Sequence, residues 1–163
     1  MSGFKMNRRG LLKTGAVVGA GLAMPTIFTS AARAYVNEPT GDSVTLGFNV
    51  PQSGAYADEG ADELRAYELA VEHLNGEGDG GMMNTFSSKE LQGNGINGKK
   101  VVYVTGDTQT KSDAARASAQ SMIQKDGAVM ITGGSSSGVA VAVQNLCQEV
   151  GVIFMAGLTH SND

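Results

Sequence analysis

Residues 128–156 read AVMITGGSSSGVAVAVQNLCQEVGVIFMA, and this stretch decides the fold. It opens on an uninterrupted apolar run, residues 128–132, bounded by Gly133-Gly134. A short apolar run between turn residues reads as a strand buried on both faces. Gly133-Gly134-Ser135-Ser136-Ser137-Gly138 is loop chemistry. Val139, Val143, Leu146, Cys147 and Val150 then recur at helical spacing, one apolar stripe closed by Gly151. Residues 152–156 (VIFMA) are a second apolar run. Strand, helix and strand in this order make a βαβ unit, whose two strands lie parallel.

Reading toward the amino terminus, the unit repeats. Residues 44–50 (VTLGFNV) form a strand ended by Pro51, and Pro51-Gln52-Ser53-Gly54 is a turn. A helix is predicted over 58–74, with Leu64, Tyr67, Val71 and Leu74 as its stripe. Asp58, Glu59, Asp62 and Glu63 sit in its first turns, where the helix dipole favours acids, and Asn75-Gly76 stops it. Residues 100–105 (KVVYVT) form the next strand and 106–110 a loop. Ser112 is positioned to cap a helix over 113–126, lined by Ala115, Ala119, Met122 and Ile123. Three strand–helix pairs followed by a strand predict an α/β fold, a doubly wound parallel sheet with right-handed crossovers. Ligands of such sheets gather beyond the carboxyl ends of the strands, here 51–60, 106–111, 133–138 and 157–162. The long polar loop 75–98, with Met82, Met83 and Phe86, reads equally as a functional flap and as a plain insertion. The chain stops just past a strand with no helix to cover it, so an amino-terminal part of a longer protein is expected.

Charge divides the chain. Five of its 12 basic residues lie in 1–34, which holds no acid, so 35–163 carries seven basic against 16 acidic residues, a net of −9. An acidic body repels phosphate backbones, so nucleic acid is not an expected partner. A single cysteine excludes a disulfide scaffold and any multi-cysteine metal site.

Residues 1–34 read as an address. Arg8-Arg9-Gly10-Leu11-Leu12-Lys13 is basic, residues 14–28 are apolar, and the segment ends Ala32-Arg33-Ala34. That is the three-part plan of a secretory signal with an A-x-A site. The apolar run of 15 residues is short of the roughly 20 a spanning helix needs, and Pro25 interrupts it. The paired arginines before Leu-Leu-Lys resemble the bacterial twin-arginine export signal, which implies folded cargo and the twin-arginine export machinery as a partner. Cleavage after Ala34 leaves a polar leader, 35–43, and the body 44–163. The expected location is the periplasm.

The loops offer several chemistries. Gly134-Ser135-Ser136-Ser137-Gly138 fits G-x-S-x-G between a strand and a helix, the setting of a hydrolase nucleophile. His160 follows Ser136 too closely for the hydrolase order, and Asp163 is the sole acid after it. A phosphate cradle lacks its lysine. What survives is general: hydroxyls and N–H groups at a helix N-terminus suit any small anion, a carboxylate included. A merely polar turn is the plainer alternative. His73 reads as a half-exposed helix residue, and His160 as a candidate at a strand end. Cys147 reads as a buried small hydrophobe. No residues have metal-ligand spacing, and no cofactor is implied.

The export signal, the strand ending in Pro51-x-Ser53-Gly54, GKKVVYV (98–104) before Asp107, Gly133-Gly134-Ser135-Ser136-Ser137, and Gly151-Val152-Ile153-Phe154 before Gly157-Leu158-Thr159 converge. Together they resemble the amino-terminal lobe of a periplasmic binding protein of an ABC importer, of the branched-chain amino acid or amide type. The resemblance covers roughly 44–162. It implies a type I periplasmic-binding-protein lobe, Rossmann-like and incomplete, that closes with a second lobe on a small amino acid or amide ligand and delivers it to an ABC permease in the inner membrane. It implies Ser136 as donor to the ligand carboxylate, with Ser135 or Ser137 adjacent, the Gly157 carbonyl and Thr159 hydroxyl toward the ammonium, and Leu158, Tyr56 and Asp58 bordering the pocket. The expected function is solute binding without catalysis. The alternatives are an exported serine hydrolase using Ser136 and a ligand-sensing receptor domain of the same fold.

Replacing Arg8 and Arg9 together by lysine is expected to leave the precursor in the cytoplasm, read by cell fractionation. Normal export of the double variant would defeat the twin-arginine assignment.

Overall fold

A computed structural model describes residues 36–39, 41–77 and 93–159. Arg8, Arg9, Ala32 and Ala34 of the address, Met82, Met83 and Phe86 of the long loop, and His160 lie outside them. The order is β1 (Ser43–Val50), α1 (Ala57–Asn75), β2 (Lys100–Asp107), α2 (Ser112–Gln124), β3 (Met130–Gly133), α3 (Ser137–Val150) and β4 (Ile153–Ala156). The strands form one parallel sheet in the order β2-β1-β3-β4. The chain therefore runs outward from β1 to β2, returns past β1, and continues outward on the other side. This is the doubly wound arrangement the sequence predicts, and it puts the reversal of strand order between β1 and β3.

The alternation of side chains along β1 sorts the core into two layers. Val44, Leu46 and Phe48 point to the face covered by α1, where they pack with Val71, Leu64, Tyr67 and Leu74. The Phe48 ring lies 4.9 Å from that of Tyr67 and stacks on Tyr103 at 5.0 Å. Ile131 points to the other face, into a cluster with Ala115, Ala119, Met122 and Ile123 of α2 and Val139, Val143, Leu146 and Cys147 of α3. Gly47 also faces that side. A Cβ there would lie 2.5 Å from the Ile131 side chain and 3.2 Å from the Met122 sulfur.

Asn49 ties the sheet to α2. It is 1% exposed. Its Nδ2 donates to the Ala115 carbonyl (2.8 Å) and its Oδ1 accepts from the Ser118 hydroxyl (2.5 Å). Gly106 on β2 leaves room for this pair, since a Cβ would approach both Asn49 Oδ1 and Ser118. On the sheet's outer edge, the Asn75 amide both donates to the Val101 carbonyl and accepts from the Val101 N–H, each at 2.8 Å, and Gly76 closes α1 in the left-handed region (φ 70°).

Several local expectations change. Ser112 is the first residue of α2 and not its cap. The cap position falls to Lys111, in extended backbone, and the Ser112 hydroxyl donates to the Gly138 carbonyl, joining α2 to the start of α3. α2 ends at Gln124, two residues early, because the Ala128 N–H turns back to the Met122 carbonyl. For the same reason β3 starts at Met130. β2 runs on through Gly106-Asp107, paired to the end of β1. β4 is covered on one face only: Phe154 packs toward α3, while Ile153 and Met155 are 43% and 57% exposed.

Asn49→Ala is expected to cost about 1–2 kcal/mol, because two buried hydrogen bonds are lost while the Ser118 hydroxyl keeps its 3.1 Å bond to the Ala115 carbonyl. Urea unfolding of the chain measures it. A loss under about 0.5 kcal/mol would show that the pair merely fills space.

Candidate ligand-binding cleft

An open cleft of about 550 Å³ lies at the carboxyl ends of the strands, at the reversal of strand order. Tyr56 and Glu59 line it from the loop after β1 and the first turn of α1. Ser135, Ser136, Ser137 and Gly138 line it from the loop after β3 and the start of α3, and Leu158 from the segment after β4. Gly133 (φ 118°) and Gly134 (φ 84°) turn the chain from strand to helix in a region closed to most side chains. Ser136 holds the N-cap position of α3 without a capping hydrogen bond. The helix therefore presents the positive end of its dipole and its first N–H groups to the cleft.

The wall opposite is held by one carboxylate. Asp107, the last residue of β2, accepts from the Gln52 N–H (2.9 Å), the Ser53 N–H (3.2 Å), the Ser53 hydroxyl (2.6 Å) and the Gln109 N–H (2.8 Å). Desolvation pushes this carboxyl up, but the Ser53 hydroxyl and the three backbone donors outweigh it and hold it below the ordinary value of 3.8. The Tyr56 N–H donates to Thr110 Oγ1 (3.2 Å), so the loop after β2 fixes the strand-to-helix turn that carries Tyr56. In that turn Gly60 passes so close to Pro51 that a Cβ would overlap the Pro51 carbonyl.

Behind the serine loop lies a buried acid. Glu63 is 5% exposed. Its Oε1 accepts from the Tyr67 hydroxyl (2.6 Å) and its Oε2 from the Ser135 hydroxyl (3.1 Å). Thr132 Oγ1 donates to the Met155 carbonyl (2.9 Å) and lies 3.2 Å from the Tyr67 oxygen. Burial, and next the bond to Glu63, hold the Tyr67 phenol well above its usual range, so it stays a donor. Gly157 rests against this group: a Cβ there would lie 2.6 Å from Glu63 Oε1.

Of the residues expected at the pocket, Tyr56, Ser135, Ser136, Ser137 and Leu158 line one cleft. Asp58, Gly157 and Thr159 do not line it; Asp58 is exposed on α1, and Gly157 adjoins Glu63. Glu59 and Glu63 were legible only as acids of a first turn. The available signal was Glu63–Tyr67 at i, i+4 on the border of the apolar stripe, a spacing that places the two side chains together. Ser136 has ordinary extended backbone (φ −89°, ψ 128°), unlike the sharp strained turn of a hydrolase nucleophile. His73 sits in the last turn of α1, at the far end of that helix from Tyr56 and Glu59. Cys147 is buried, and burial pushes its thiol up to about 11, against any role as a nucleophile.

Comparison with known proteins points one way. A family model described as periplasmic binding protein matches residues 43–163, and a model of the TAT (twin-arginine translocation) pathway signal sequence matches 5–25. The chain is 30% identical over 114 residues to the Leu/Ile/Val-binding protein homolog 7 of Brucella abortus, covering 70% of this chain and 24% of that protein. The chain thus spans about a quarter of the length of the curated relatives it matches. Among solved structures, it superposes on the branched-chain amino acid transporter substrate binding protein LivJ of Streptococcus pneumoniae, in complex with isoleucine. The TM-score is 0.61 at 21% identity, over 74% of this chain and 30% of that one. A solute binding protein of an ABC transporter from Rhodopseudomonas palustris, in complex with 3,4-dihydroxy benzoic acid, gives 0.59 at 21% identity, over 74% and 28%. A periplasmic binding protein from Burkholderia mallei gives 0.58 at 26% identity, over 74% and 28%.

The lowered Asp107 carboxyl sets a pH dependence. Its bonds stabilise the turn fully above the unfolded carboxylate value and are lost as pH falls through the lower folded value. The amide resonances of Gln52, Ser53 and Gln109 are expected to titrate together with a midpoint below 3.8. A midpoint above it would mean that the latch is not formed in solution.

Proposed function

From the premise that the chain belongs to the periplasmic binding protein family, we propose that it forms one wall of a cleft that captures a small amino acid-like ligand for ABC-type import. The signal match and the family match together indicate export to the periplasm. Cleavage after Ala34, a leader over 35–43 and delivery to an inner-membrane permease complete the reading.

The observation that carries it is the serine loop. Ser135, Ser136 and Ser137 enter the cleft at the uncapped start of α3, where the strand order reverses between β1 and β3. The donors of Ser136 and Ser137 and a helix dipole held open to solvent suit a ligand carboxylate. Binding needs nothing further from this wall, and no described residue gives Ser136 the partners of a nucleophile. The reading is therefore a carrier and not an enzyme. The Gly157 carbonyl and the Thr159 hydroxyl, on either side of Leu158 but outside the cleft lining, are read as further polar groups for the ligand. Leu158 supplies apolar surface there.

A wall without its opposing lobe makes about half the contacts and leaves the ligand wet. Calorimetry on this chain is expected to give no micromolar binding of leucine or isoleucine, only millimolar contact, about −4 kcal/mol. In the two-lobed protein of this reading, Ser136→Ala and Thr159→Val should each weaken binding about ten- to a hundredfold, the worth of one hydrogen bond to a charged group. Unchanged affinity in both variants would sink the assigned site. Loss of turnover with intact binding in Ser136→Ala would instead support a hydrolase.

A further inference from the structure

The geometry points to Glu63 as a positioning residue that, through the Ser135 hydroxyl, makes the cleft select ligands bearing an ammonium group beside their carboxylate. The inference rests on the solute-binding reading above and names the residue that sets its ligand class.

Among the described residues, the buried carboxylate of Glu63 is held only by neutral partners. Its two hydrogen bonds come from the Tyr67 and Ser135 hydroxyls. The ion pairs among the described residues are Arg65–Asp62, Lys100–Glu77 and Arg116–Glu149, and none reaches it. A carboxylate offers about four acceptor positions. Burying one without a cation is unfavourable, and a cation brought close removes much of that cost.

Among the described residues, the cleft beside Glu63 supplies no cation of its own. Its lining carries one charged side chain, Glu59, which is also an acid. Ser135 stands between Glu63 and the cleft, and its proton is directed to Glu63. What the Ser135 oxygen can offer a ligand is therefore a lone pair. Polarity thus changes along the serine loop. Ser136, Ser137 and Gly138 present donors at the start of α3, whereas Ser135, backed by Glu63, presents an acceptor. A zwitterion satisfies both ends. A simple carboxylate meets the donors but adds a third negative charge near Glu63 and Glu59. Electrostatic discrimination of this kind acts by disfavouring the wrong ligand as much as by attracting the right one.

Matched probes test the assignment on this chain. L-leucine with 4-methylpentanoate, and L-phenylalanine with 3-phenylpropanoate, differ only in the ammonium group. Amide shifts of Ser135–Gly138 are followed during each titration, up to roughly 50 mM, the range of weak one-wall contact. Each amino acid is expected to bind about tenfold more tightly than its desamino partner. E63Q should bring that ratio below about threefold, by weakening the amino acid and relieving the repulsion of its desamino partner. Y67F removes one neutral donor from Glu63 and should raise the ratio at least about twofold, so it decides the question should E63Q fail to fold. A purely structural role would move both members of a pair together. A ratio near one in the unaltered chain, or a ratio unmoved by Y67F and E63Q, overturns the assignment while leaving solute binding intact. No shift with any of the four probes overturns the solute-binding reading and this assignment with it.

Discussion

Strand β1 must be buried on both faces while carrying a backbone that pairs on both edges. It is hydrogen-bonded to β2 along its whole length and to β3 over its second half. One face needs bulk for α1, which Val44, Leu46 and Phe48 supply. The other needs clearance and a polar anchor for α2, which Gly47 and Asn49 supply. Gly47 leaves the space that Ile131 and Met122 occupy, and Asn49 fastens α2 across the sheet. Both helices take their positions from this one strand, and so do the loops that leave its carboxyl end.

The cleft follows from where those loops must go. The chain departs from β1 on one side and from β3 on the other, so the connections diverge and leave a crevice between them. An open crevice needs rigid sides. Asp107 provides one by gathering the donors of the 52–53 turn, and the close approach of Gly60 to Pro51 presses α1 onto the same turn. On the other side, Gly133 and Gly134 absorb the left-handed backbone that lets α3 begin at the cleft. The polar groups facing the cleft are thus held by interactions outside it, so their order does not depend on a ligand.

The sheet is unevenly covered. β3 is buried, whereas β4 keeps Phe154 inside and exposes Ile153 and Met155. The serine loop, which lies inward of β4, sits on the well-packed part of the sheet, above Ile131, Val139 and Val143. Its geometry therefore depends on the β1–β3 pairing and on the α2–α3 layer, and little on the exposed side of β4.

Element types, their order and the parallel sheet were legible in the sequence because burial periodicity is a local signal. The stripe Leu64–Tyr67–Val71–Leu74 and the runs at 128–132 and 152–156 need no knowledge of their partners. The serine loop was legible for the same reason, as Gly and Ser between a strand and a helix. Boundaries were less so. Ser112 read as a cap, but the α3 carbonyl at Gly138 claims its hydroxyl, and Ala128 read as strand, but α2 claims its N–H. Glu63 and Asp107 show the limit most plainly. Along the chain, each is one acid among several at an exposed position type. Only the fold brings Ser135, 72 residues away, onto Glu63, and Ser53, 54 residues away, onto Asp107. Sequence alone determined which segments are buried, since that depends on each residue's own transfer from water. Tertiary structure decided which polar groups meet, since hydrogen bonds require distances that only the packed sheet and helices set.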